Sequence, residues 1–146
     1  MNLIDALLGE HAVFYSNFER LEEVARTAEH VEEVRAAVHA VGGALASHAN
    51  LENELLLGSL ASRLGEAGPI GIMRAEHDEV EQRVSALEKV QDLDSARSQI
   101  SELLALTRAH FVKEEHLVFA MARQLLGHED LQRLGDLWAH QRHIEV

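Results

Sequence analysis

The sequence predicts an all-α protein: an up-down-up-down four-helix bundle with a short C-terminal fifth helix. Three observations carry that expectation. Ala, Leu, Glu and Arg dominate, Pro occurs once and β-branched runs are missing, a composition with little resistance to helix formation. Apolar residues recur at alternating spacings of three and four, the period of one helix face. Four such stripes are joined by short connections, which makes neighbouring helices antiparallel. At 146 residues the chain has the length of one domain and enough of it to bury a core.

The first stripe is Ile4, Leu7, His11, Phe14, Phe18, Leu21 and Ala25. Continuing its phase would bury Glu32 and Arg35, so a turn is expected near Thr27 to His30. A new stripe follows: Val31, Val34, Val38, Val41, Leu45, His48, Glu52 and Leu55. Gly65 to Gly68 closes the second helix, and Pro69 suits the first turn of a third. The third stripe is Ile70, Met73, His77, Val80, Val84 and Leu87. Asp92 to Asp94 makes the next turn, with Asp94 as the expected N-cap. The fourth is Ile100, Leu103, Thr107, His110, Glu114, Leu117 and Met121, ending at Gly127. Residues 1–127 thus form the bundle. In residues 128–146, Leu131, Leu134 and Trp138 mark a short helix that packs on the same domain or forms a homodimer contact.

Composition narrows the function. Thirteen Lys and Arg face 25 Asp and Glu, a formal charge of -12, which argues against nucleic acid or an anionic membrane surface as partner. The absence of Cys removes disulfides, thiolate metal sites and a Cys nucleophile. Met1 to Val13 holds Asp5 and Glu10 but no Lys or Arg, unlike the basic start of a signal peptide. The longest uncharged run, Ala36 to Leu51, is too short to span a bilayer. A cytoplasmic location is the expectation.

Ten His in so acidic a chain need an explanation. Four lie on the apolar stripes with two Glu: His11, His48 with Glu52, His77, and His110 with Glu114. A buried imidazole or carboxylate without partners costs several kcal/mol, so six together demand one cause. His11 is eight residues past Leu3 and His77 eight past Pro69; His48 and His110 lie 17 before Gly65 and Gly127. In an up-down-up-down bundle all six then share one depth. Each His-x-x-x-Glu pair spans ~6 Å along one helix face. The chain also repeats: His48–Glu52 before Gly65 parallels His110–Glu114 before Gly127, and Glu10-His11 parallels Glu76-His77. A pseudo-twofold bundle with one His and one His-x-x-x-Glu per half is a cradle for two cations. The His at 30, 39, 116, 128, 140 and 143 fall off the stripes.

His11, His48-x-x-x-Glu52, Glu76-His77 and His110-x-x-x-Glu114-Glu115 resemble the hemerythrin-like HHE cation-binding domain. The resemblance implies a non-haem centre of two iron ions, oxo- or hydroxo-bridged, with terminal His ligands and two bridging carboxylates. Carried over residue by residue, it assigns His11, His48, Glu52, His77, His110 and Glu114 as metal ligands. The chain departs from the oxygen-carrying hemerythrins at two places. Met73 stands where their third helix has a further His, and Glu114 is one residue closer than their last carboxylate. Glu115 matches the longer spacing but points off the seam. Glu81 and Tyr15, one turn past His77 and His11, are further candidates near the site, with a solvated acid and core packing as the plainer alternatives. These departures weaken reversible oxygen carriage and leave room for peroxide chemistry or sensing; an activity that consumes peroxide or NO is an open expectation.

Other metal and nucleotide motifs are absent: no Glu-x-x-His, His-Glu-x-x-His, Gly-rich phosphate loop or Gly-x-Ser-x-Gly occurs. Gly42-Gly43 inside the second helix marks either a close helix contact or a small opening toward the site. Ligation needs neutral imidazoles, so binding should weaken at acid pH. Phe14, Phe18, Leu55 and Leu117 are expected to shield the site and admit only small ligands. The implied activity is binding or reduction of O2, peroxide or NO. The alternative is an iron- or oxygen-responsive sensor whose bundle is ordered by the metal and read through the tail.

Overall fold

A computed structural model describes residues 1–145; Val146, the last residue of the expected tail, lies outside them. The described residues are all helical apart from turns and caps, without a strand. Helix α1 is Leu3–Thr27 and α2 is Val31–Leu51. The path of α2 continues through a π-helical segment, Glu52–Leu57, into α3, Gly58–Leu64. Helix α4 is Pro69–Leu87 and α5 is Leu93–Lys113. A second π-helical segment, Glu114–Val118, joins α5 to α6, Phe119–Leu125, and α7 is His128–Gln141. Helix α1 packs on α2, α5 and α7, and α4 packs on α2 and α5. No described helix is long and apolar enough to cross a membrane.

Local chemistry sets the ends. The Asn2 side chain caps α1 by accepting from the Asp5 amide at 3.1 Å. Glu33, in the first turn of α2, accepts from the amides of Glu29 and His30 at 2.9 and 2.8 Å, and these bonds hold its carboxyl below the usual range. Gly65 at φ 81° ends α3 in the left-handed region open to glycine. The turn before α5 corrects the expected cap. Asp92, not Asp94, accepts from the Ser95 amide at 2.8 Å, because the helix starts at Leu93, two residues earlier than a cap at Asp94 would place it, and a cap must reach the third residue beyond it.

Up to Glu114 the stripes bury as expected except at Val31 and Val41, which are half-buried, and then they slip. Leu117 is 49% exposed while Val118, Phe119 and Ala122 are fully buried, and Met121 is only half-buried. A π turn holds one extra residue, which moves every later side chain one position around the helix. Leu117 therefore does not shield the site.

The apolar core is two bodies. One gathers Leu7, Leu51, Met73, Val118 and Trp138; the other gathers Phe14, Phe18, Leu45, Val80 and Phe111. Along their helices His11, His48, His77 and Glu114 fall between residues of the two bodies, while Glu52 and His110 sit at their edges.

Helix α7 packs on the bundle, with Leu131, Leu134 and Trp138 buried. Its Gly135 is the point of closest approach. A Cβ there would lie 2.3 Å from the Met1 carbonyl oxygen and 2.9 Å from the Asn2 carbonyl carbon. Backbone on the far side cannot yield cheaply, so Gly135→Ala should cost ~1–3 kcal/mol despite its better helix propensity. A thermal melt followed by circular dichroism checks this. An unchanged or raised midpoint would show that the N-terminus is free to shift.

Candidate metal centre

Four helical stretches bring six buried polar side chains to one locus. His11, His48, Glu52, His110 and Glu114 are at most 2% exposed and His77 is 7% exposed. They form two groups of potential ligand atoms, His11, His48 and Glu52 on one side and Glu52, His77, His110 and Glu114 on the other. Glu52 belongs to both. Its Oε1 lies 3.7 Å from His11 Nε2 and 3.1 Å from His48 Nε2, and its Oε2 lies 3.3 Å from His77 Nε2. Glu114 Oε1 faces His77 Nε2 at 4.0 Å and contacts His110 Nε2. Only Glu52, then, stands between the two groups.

Both carboxylates open a π-helical segment. Such turns are rare, occur mostly as single-turn bulges inside α-helices, and are frequent at functional sites. Here the same device occurs in each half.

The other nitrogen of every imidazole is already engaged. Nδ1–H of His11 donates to Glu115 at 2.9 Å, that of His48 to Glu10 at 2.5 Å, that of His77 to Asn53 at 2.8 Å and that of His110 to Glu76 at 2.9 Å. The pattern follows the internal repeat. In each half the Glu preceding a His (Glu10, Glu76) supports the His of the next long helix. The residues after Glu52 and Glu114 (Asn53, Glu115) each support a His of the other half. Asn53 breaks the symmetry, placing a neutral amide where the other three imidazoles meet carboxylates. Fixing Nδ1 in this way sets the tautomer and turns each Nε2 inward as a donor of electrons.

What remains is a set of partnerless atoms. Nε2 of all four His, both oxygens of Glu52 and Oε1 of Glu114 are buried without a hydrogen bond. Some nitrogen–oxygen separations are short, yet none of these atoms makes a hydrogen bond, and the potential ligand atoms of each group lie within 4.8 Å of one another. Leaving one buried polar atom unsatisfied costs ~1–3 kcal/mol, so seven in one place need a common partner. All seven present lone pairs, so the group that fits is a cation.

Charge points the same way. Burial works against a proton on His48, but the Glu52 carboxylate, with Glu10 and Glu114, pushes its pKa up to about 10. His77 rises to about 9, burial being outweighed by Glu114 and Glu52, and His110 is raised despite burial, chiefly by Glu114. Burial works against ionisation of Glu52, yet His48, His11 and His77 hold its carboxyl well below the usual range. Glu10, though burial opposes it, is drawn down to about 2 by His48, Arg142 and Trp138. The negative field favours any cation that can reach it, proton or metal.

All six residues expected as ligands are brought together, and the other six His are exposed. Glu115 and Tyr15 belong to the surroundings: Tyr15 Oη donates to Glu115 at 3.1 Å, and burial with that carboxylate pushes the phenol up to about 12. Glu81 is exposed on a cavity wall, outside both groups. Phe111, unremarked in the stripes, stacks on His11 at 3.8 Å between ring centres and takes the shielding place expected of Leu117. Glu10 and Glu76 as supports, and Asn53, were also missed. The Glu-His repeat was the available signal for the first two.

A helical bundle holding buried His and Glu with their electron-pair donors turned inward defines a cation-binding protein. The chain belongs to the hemerythrin family: the hemerythrin HHE cation binding domain matches residues 2–122. No curated protein and no solved structure matches it. Helix α7 lies beyond the matched region.

Proposed function

We propose that the chain is a hemerythrin-like, non-haem di-iron protein that binds or reduces a small oxidant such as O2, peroxide or NO. The observation that carries this is the set of seven buried partnerless donor atoms, divided into two groups that share Glu52. His11 and His48 would hold one iron, His77, His110 and Glu114 the other, with Glu52 between them, in an up-down-up-down bundle. When bound, mixed nitrogen and oxygen donors with open positions give iron that can pass electrons to a small diatomic molecule or peroxide.

The chain's own part is positioning and exclusion. Glu10, Asn53, Glu76 and Glu115 hold the imidazole planes, and the three carboxylates raise the basicity of the rings they support. Phe14 and Phe111 pack edge-on to His48 and face-on to His11, keeping bulk water from that side. Lys113 pairs with Glu76 and Arg142 with Glu10, which offsets part of the outer negative charge.

Metal analysis and an absorption spectrum of purified protein test the reading. Two irons per chain with near-ultraviolet bands of a bridged pair support it; failure to take up iron on reconstitution sinks it. His48→Ala or Glu114→Ala should lower iron content far more than His30→Ala or His143→Ala. Equal losses across the four would remove the basis for choosing the buried residues.

One feature favours a sensor as second reading. Glu10 accepts from His48 Nδ1, from Trp138 Nε1 at 2.9 Å and from Arg142 Nε at 2.6 Å, so α7 and the residue after it are tied directly to a ligand candidate. In a sensor, iron loading would raise amide-exchange protection across α7. If protection of α7 is identical with and without iron, that reading fails.

A further inference from the structure

We propose that the divalent cation enters the centre through the cavity between α2 and α4, admitted by its acidic rim and by the space left at Gly43. The inference rests on the reading of the six buried residues as a metal centre. The cavity has a volume of about 270 Å³. Its inner wall includes His48, His77 and His110, each at least nine-tenths buried and each with an unpartnered Nε2. His11 is not part of the wall, so the cavity meets the centre on the side of the other three His.

The outer wall carries Asp78, Glu81 and Glu88, all exposed. Among the described residues no Lys or Arg lines the cavity. Two basic groups lie near this rim: His39, whose Nδ1 is 3.2 Å from Glu88, and Lys89, which shares the adjoining surface with Asp78 and Glu81. A cleft lined by one sign of charge raises the local concentration of opposite ions by focusing the field. This cleft draws in cations and turns away anions.

Two adjacent glycines make the opening. At Gly42 a Cβ would lie 2.5 Å from Cγ1 of Val84, so its absence lets α2 approach α4. At Gly43 a Cβ would meet nothing within 4 Å. Packing thus explains the first glycine and not the second, although each costs a helix roughly 0.5–1 kcal/mol against Ala. Open space beside a cavity that ends at three imidazoles is what the second provides.

The test is the rate of metal uptake. Metal-free protein is mixed with Co²⁺ in a stopped-flow instrument and the visible absorption of the bound ion is followed, with final content measured by elemental analysis. Gly43→Phe should slow uptake about tenfold while leaving final content and helicity unchanged. Asp78→Asn with Glu81→Gln should slow it several-fold at low salt, and the difference should close near 1 M salt, where charges are screened within ~3 Å. Glu129→Gln, on α7, should change nothing. Wild-type rates in both cavity variants, at normal final content, would overturn the route alone. A wild-type chain that takes up no Co²⁺ at equilibrium would instead bring down the metal reading beneath it. The charge variants keep the test decisive if Gly43→Phe fails to fold.

Discussion

Glu52→Ala should leave the centre unable to hold either ion, while Glu114→Ala still holds one. The two carboxylates look equivalent in the sequence, each four residues past a His on its own helix. They are not equivalent in space. Glu52 is fully buried, with one oxygen toward His11 and His48 and the other toward His77. Removing it takes a ligand from both groups and the negative charge between them. Glu114 joins only the group of His77 and His110, so its loss leaves His11, His48 and Glu52 in place. Iron content after reconstitution and desalting is the measurement, with circular dichroism to show that both variants remain helical. Equal loss in the two variants, or a smaller loss from Glu52→Ala, would show that Glu52 does not link the ions.

Trp138→Ala carries the largest effect on stability. The indole is 7% exposed, lies in the core body that includes Leu3, Leu7 and Leu131, and donates to Glu10. Truncating a buried Trp costs ~3–5 kcal/mol, a fall in melting temperature of roughly 10 °C for a chain of this size. Glu10 would also lose one of the donors that aim it at His48. Loss of a partner that supports a ligand lowers metal affinity ~10–100-fold, so affinity should fall along with stability. Trp138→Phe separates the two effects, because it keeps most of the packing and drops only the N–H. Weakened metal affinity in Trp138→Phe with a nearly unchanged melt is the expected result. Unchanged affinity in both variants would make α7 a packing element and nothing more.

The parts legible in the sequence were those governed by local periodicity. Helix spacing alone places His11, His48, Glu52, His77, His110 and Glu114 on buried faces, because a polar residue on an apolar stripe stands out against its neighbours. Pro69 and the Gly65–Gly68 turn mark helix ends through backbone constraints that need no tertiary partner. Leu117 shows where that logic fails. A straight α-helix is assumed when a stripe is extended, and the π turn at Glu114–Val118 adds a residue that no local propensity announces. The buried run of Val118, Phe119 and Ala122 was the trace it left. Asp92 and Asp94 differ by a start of one short stretch, which propensity does not resolve.

The sequence alone therefore determined that this is a helical protein with four His and two Glu at one depth, since both follow from period and register. The tertiary structure decided how those residues are used. Whether Glu10 supports His11 or His48, whether Glu115 is a ligand or the partner of His11, and which carboxylate lies between the groups all depend on side-chain directions between helices far apart in the chain. Glu115 and His11 are 104 residues apart yet share a hydrogen bond. Such contacts are set by the packing of whole helices and by the twist of two π turns, so a one-dimensional pattern carries no record of them.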